Sequence, residues 1–143
     1  MTRELTGGCF CGAVRYRVAD EPIDATYCHC RMCQRSVGAP EVAWGSWPES
    51  AFTWLTAEPA TLVSSSAGQR RFCAACGTQI LFWTADEPAL VDLNLASLDD
   101  PAAIVPTYHI WTASRIPWIE TTDDLPRYHD AGPDTAEQRA RRS

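Results

Sequence analysis

The chain concentrates its sulfur. Seven cysteines fall into three groups: Cys9 and Cys11, then Cys28, Cys30 and Cys33 in the run Tyr27-Cys-His-Cys-Arg-Met-Cys, then Cys73 and Cys76. An odd number cannot close entirely into internal disulfides. A Cys-x-Cys bridge would also be strained, because its two sulfurs share one short turn. Zinc suits the pattern better. It takes four ligands when structural, and often three protein ligands plus an open position when catalytic. Seven then divides as four plus three.

Cys73-Ala-Ala-Cys76-Gly77 has the spacing of a zinc knuckle, with a glycine placed where the backbone must turn. Its two missing ligands are expected from Cys9-Phe-Cys11-Gly12, which pins the start of the chain to its middle. The remaining triplet chelates locally. In extended backbone Cys28 and Cys30 point one way and His29 the other, so His29 is expected outside that site, orienting a substrate or a ligand. Three thiolates leave one exchangeable position, suited to an incoming sulfur. Closure of the triplet by His109, His129 or Glu41 is an equal alternative on spacing alone. A redox Cys-x-x-Cys is disfavoured, since no thioredoxin-like βαβ pattern surrounds either pair. Arg70 and Arg71 are expected in surface salt bridges or beside the charge of a four-thiolate zinc.

The elements that would carry these groups are short strands. "AVRYRV" alternates apolar and basic residues with period two, as in a half-buried strand. "AFTWLT", "ATLVSS", "TQILFWT", "ALVDLNL" and "TYHIWT" are further strand candidates, separated by turn signals such as "GSWPES", "SAGQ" and "ADEP". A helical turn is expected at Arg31, another at "SLDDPAA" near Pro101, and a tail helix over "DTAEQRARR". Most of the six tryptophans are expected in the core or on sheet faces, with a few beside the zinc.

At 143 residues the chain is expected to be one domain, and a chain of this size buries roughly 68% of its unfolded surface. The division expected is a zinc-binding β domain over residues 1–128 and a flexible tail over 129–143. The net charge of −6, with arginine supplying every Lys/Arg position, argues against a nucleic-acid partner. No apolar stretch reaches membrane-spanning length. The start, "MTRELTGGCFCG", has no signal-peptide core, so a cytoplasmic location is expected, where clustered cysteines stay reduced.

Taken in order, "GGCFCGAVRY", "CHCRMCQRSVGAP", "RRFCAACGTQI", "NLASLDDP" and "HIWTASRIPW" resemble the glutathione-dependent formaldehyde-activating enzyme family, which includes centromere-protein-V-like proteins. The resemblance implies a mainly β, Mss4-like fold of short twisted antiparallel sheets clipped by zinc. It implies two zinc ions: a structural one on Cys9, Cys11, Cys73 and Cys76, and a catalytic one on Cys28, Cys30 and Cys33. It also implies a carbon–sulfur lyase that joins a small thiol such as glutathione to an aldehyde, formaldehyde in the namesake reaction, giving S-hydroxymethylglutathione. His29 and His109 are candidate acids, and Arg31, Arg35 and Arg115 candidate partners for a substrate carboxylate. The alternative is a non-catalytic zinc module that binds a small thiol or a protein partner.

Overall fold

In the computed structural model residues 3–133 are described. They contain ten strands. β1 (Glu4–Gly8), β2 (Arg15–Ala19) and β5 (Phe52–Trp54) form a three-stranded antiparallel sheet in the order β1-β2-β5. β3 (Asp24–Cys28), β4 (Val42–Pro48), β6 (Ala60–Val63), β7 (Gly68–Phe72), β8 (Gln79–Thr84), β9 (Leu90–Asn94) and β10 (Tyr108–Ile110) form a seven-stranded sheet in the order β10-β3-β4-β9-β8-β7-β6. A helix, α1 (Arg31–Val37), follows β3.

This is the mainly β architecture expected, with one difference. β10 runs parallel to β3, with Ile110 opposite Cys28. A parallel neighbour needs a long crossover. Here the chain supplies it after β9, through 3-10 turns at Leu95–Ser97 and Pro101–Ala103. All six expected strands are present. β1, β3, β4 and β7 were not anticipated. β4 explains itself, and corrects the reading of "GSWPES" as a turn. Trp47 on one face packs into the core with Tyr16, Val18, Ile80 and Leu93, while Trp44 on the other joins Cys28, Cys33 and Ile110. A strand buried on both faces shows no alternation. The Tyr16, Trp47 and Leu93 cluster sits between the two sheets and leaves the other face of the larger sheet to build a site. The expected tail helix lies outside the described residues, and the chain up to Asp130 is tied to β10 and the residue after it. Tyr128 N–H donates to His109 O, and Trp111 N–H to Asp130 O.

One ion pair staples the small sheet to the turn after β9. Asp99 accepts from both arms of Arg15 on β2, at 2.9 and 2.5 Å, and from Thr6 on β1 at 2.6 Å. Arg15 and then Thr6 hold the Asp99 carboxyl down at about 2, against an ordinary value of 3.8. A depressed carboxyl contributes stability that is complete above its unfolded pKa and lost as pH falls through the folded one. The pair is half exposed, so its contribution is about 0.5 kcal/mol. Asp99→Asn is expected to be less stable than the parent by that amount at pH 7. Urea melts of the two proteins should converge between pH 4 and pH 2, and a difference that persists at pH 2 would contradict the assignment.

Candidate metal centres and the adjoining cavity

The knuckle loop between β7 and β8 places Cys73 and Cys76. Gly77 N–H closes it on Cys73 O at 2.8 Å, and Gly77 itself sits at φ 81°, a conformation that favours glycine. The β1–β2 connection does the same with Cys9 and Cys11, and Gly12 follows at φ 83°. Thr78 joins the two halves. Its hydroxyl accepts from Phe10 N–H at 3.1 Å and lies 3.2 Å from Cys76 Sγ. The Thr78 hydroxyl and backbone amide, with the Cys11 backbone, draw the Cys76 thiol down to about 5.

The four sulfurs of Cys9, Cys11, Cys73 and Cys76 lie within 4.8 Å of one another and could hold a metal ion. The separations are 3.6 Å for Cys9–Cys11 and 3.8 Å for Cys11–Cys73. A disulfide needs about 2.05 Å. A tetrahedral zinc with Zn–S bonds of about 2.3 Å separates neighbouring sulfurs by about 3.8 Å. The thiols therefore stand at the edge length of a zinc tetrahedron.

The second cluster is Cys28, Cys30 and Cys33, again within 4.8 Å, with Cys28 and Cys33 sulfurs 3.7 Å apart. Cys28 ends β3. Cys30 caps α1, its sulfur accepting from Cys33 N–H at 3.3 Å, and Cys33 lies in the first turn. Hydrogen bonds from the Cys28 and Cys33 thiols, then the Cys33 amide and the Arg70 charge, hold Cys30 well below the ordinary thiol range. The proton-sharing bonds with Cys30 and Cys33, then burial, push Cys28 up. Among the described residues no fourth Cys, His, Asp or Glu joins this group: His109 and Glu41 cluster elsewhere, and His129 joins neither.

What lies beside the triplet is a cavity of about 310 Å³. Its floor is the free face of the large sheet. Residues two apart on each strand point into it: Thr26 and Cys28, Trp44 and Ser46, Phe82 and Thr84. Register carries the floor sideways from Ser46 to Asp92 to Phe82 to Arg70. Met32 of α1, Ile110 and Trp111 complete the walls. Of the six tryptophans, Trp44 and Trp111 line this cavity.

Sequence reasoning missed three supports. Arg70 is 4% exposed, lies over the Phe82 ring at 4.9 Å, and directs a guanidinium nitrogen at Cys33 Sγ at 3.8 Å. It therefore serves the triplet, not the four-sulfur centre or a surface pair. Arg71 does pair with Glu58, at 3.2 Å. Gln34, also buried, donates its amide to His29 O at 2.8 Å and Ser114 O at 3.1 Å, fixing α1 to the end of β3. Asp123 accepts from His109 Nε2 at 3.0 Å. Burial alone distinguishes Arg70 and Gln34 from ordinary polar residues, and Asp123, which stays exposed, is distinguished only by its reach to His109. Of the arginines expected to meet a substrate, Arg31 bonds Gln34 and Arg115 bonds the backbone of Ile116 and Ile119. Arg31, Arg35 and Arg115 do not line the cavity. His29 faces away from it, as the alternation required, and burial followed by the His109 charge lowers its imidazole to about 4.

The fold and site define a class: a two-sheet β protein with one closed four-sulfur cluster and one three-sulfur cluster opening on a cavity. Within that class the chain belongs to the glutathione-dependent formaldehyde-activating enzyme family, whose pattern matches residues 4–114. It is similar to a Halomonas elongata protein provisionally named a glutathione-dependent formaldehyde-activating enzyme, 26% identical over 125 residues covering 81% of this chain and 80% of that one. A Schizosaccharomyces pombe protein named an uncharacterized lyase is 31% identical over 87 residues, 55% of this chain and 57% of its own. A Rhodobacter sphaeroides crystal structure shares the fold, with a TM-score of 0.57 and 23% identity, covering 71% of this chain and 97% of that one. Among the described residues no helix is long and apolar enough to cross a membrane.

Proposed function

We propose that the protein is a zinc-dependent carbon–sulfur lyase that forms and cleaves thiol–aldehyde adducts, with glutathione and formaldehyde giving S-hydroxymethylglutathione as the reaction its relatives' names suggest. Cys9, Cys11, Cys73 and Cys76 would hold a structural zinc. Cys28, Cys30 and Cys33 would hold a second, catalytic one. The observation that carries this reading is the three-sulfur cluster in the wall of a cavity, one ligand short of a tetrahedron. Zinc bound there would supply acidity to a coordinating thiol near neutral pH.

The chain's own residues supply the rest. Arg70, buried beside Cys33, offsets the negative charge of three thiolates. Trp44, Phe82 and Ile110 exclude water from the sulfur, and the walls hold thiol and aldehyde in contact, which lowers the entropic part of the barrier. In the bond changes the substrate sulfur forms the new bond to the aldehyde carbon. The carbonyl π pair becomes an alkoxide and takes a proton from water, and the thiol's proton leaves to solvent. Cleavage reverses each step. His29 and His109 are not the acid, because both lie on the other face of the sheet.

Exchange NMR of formaldehyde and glutathione, with and without zinc-loaded protein, tests the proposal. The protein is expected to raise the exchange rate in proportion to its concentration. A rate unchanged with glutathione and with other small thiols would leave a thiol-binding module as the function.

A further inference from the structure

We propose that His29, Glu41 and His109 form a third metal centre, a two-imidazole, one-carboxylate site for a borderline divalent cation, on the sheet face opposite the cysteine cavity. Strand register builds it. Cys28 stands opposite Val42 on β4 and Ile110 on β10. The residue beside each of these three points to the other face, and those residues are His29, Glu41 and His109. His29 Nε2 lies 2.8 Å from His109 Nδ1 and 3.3 Å from Glu41 Oε2, and His109 Nδ1 lies 4.0 Å from Glu41 Oε2. A tetrahedral ion with bonds of about 2.0–2.1 Å spaces its donors by about 3.3 Å, close to the middle of this range.

Two further features point to a cation. The first is the outer support of His109. Asp123 accepts from its Nε2 at 3.0 and 3.1 Å, which fixes the proton on Nε2 and leaves the Nδ1 lone pair facing the centre. A carboxylate behind a ligating imidazole is the usual second partner at metal sites. The second is Glu41 Oε2, which is shielded from solvent and, among the described residues, accepts no hydrogen bond, since His29 Nε2 at 3.3 Å is turned to His109. A hydrogen bond from His29 to His109 satisfies those two nitrogens and leaves this oxygen orphaned. A cation satisfies all three donors. It also balances two carboxylates, Glu41 and Asp123, that among the described residues are ion-paired to one arginine, Arg127 at 3.3 Å from Asp123. Nitrogen and oxygen donors select Zn²⁺, Fe²⁺ or Co²⁺ over calcium or a soft ion. The inference does not rest on the lyase reading. It places a metal on the residue between Cys28 and Cys30, where it would stiffen the backbone that carries both sulfurs.

Protein given two equivalents of zinc per chain, which the softer thiolate centres take first, should be dialysed against Co²⁺ and assayed for zinc and cobalt per chain and for visible absorption. The expected result is one added Co²⁺ with ligand-field bands, no thiolate charge-transfer band, and full zinc retention. Glu41→Gln and His109→Asn should lose that equivalent while keeping their zinc. Asp123→Asn should keep it with affinity weakened about 10- to 100-fold. No added cobalt in the parent, cobalt with a thiolate band and loss of zinc, or cobalt retained by Glu41→Gln would each overturn the site. Glu41 is a quarter exposed, so its variant folds even if that of buried His109 does not.

Discussion

Cys76→Ala is expected to leave most of the protein unfolded or aggregated at 25 °C, and chelation of the parent should do the same. The size follows from what the four-sulfur centre joins. Cys9 and Cys11 belong to the connection between β1 and β2 in the small sheet, Cys73 and Cys76 to the knuckle of the large one. A zinc there therefore clamps the two sheets on either side of their shared core. Structural zinc in small finger peptides contributes an apparent 10–16 kcal/mol or so, as much as the whole net stability of a domain, about 5–15 kcal/mol. Cys76 isolates that contribution. Its neighbour Cys73 is 2% exposed and packs in the core, so its replacement would also remove buried contacts. Cys76 lies at the partly exposed tip of the knuckle, where losing a sulfur costs little packing. Circular dichroism melts with metal analysis measure the outcome. A Cys76→Ala protein that melts within a few degrees of the parent would show that the four sulfurs do not carry the fold.

The sulfur clusters were legible because metal-binding cysteines come in local pairs whose spacing is fixed by the tetrahedron. Gly12 and Gly77 were legible for a related reason: each must turn the backbone just past its pair. Strands with one wet face, such as β2 and β9, could be read by alternation. β3 and β4 could not, because both of their faces are buried. β7 could not because Arg70 reads as a surface charge until the sheet order puts it under α1. The same limit hid the centre's supports. Gln34, Asp123 and Arg70 act across sequence separations of 80, 14 and 37 residues. Only the pairing of β10 with β3 brings His109 to His29, and the parallel crossover behind that pairing leaves no local signal. The opposite orientations of His29 and Cys28, by contrast, follow from the two-residue period alone.

Cys30→Ala should have the opposite profile to Cys76→Ala: a folded protein short of one zinc, with its acceleration of thiol–aldehyde exchange reduced at least about a hundredfold, beyond the 10- to 100-fold that loss of a mere outer partner costs. Among the three sulfurs Cys30 is the informative choice. Cys28 and Cys33 are 4% and 6% exposed and pack with Val42, Trp44 and Ile110, so alanine at either would open a void in the second core cluster. Cys30 is partly exposed, and its structural duty is the cap it gives Cys33 N–H. Loss of a helix cap costs about 0.5–2 kcal/mol, which the domain is expected to survive if its four-sulfur centre is intact. The triplet comes from the end of β3, the residue that caps α1 and the first turn of that helix, so a metal there would join neighbours in sequence and leave the two sheets unclamped. Metal analysis, melting and exchange NMR on the same preparation separate the two roles. A variant that unfolds as completely as Cys76→Ala would make the triplet a second structural clamp. One that keeps the parent's exchange rate would move the chemistry away from these sulfurs altogether.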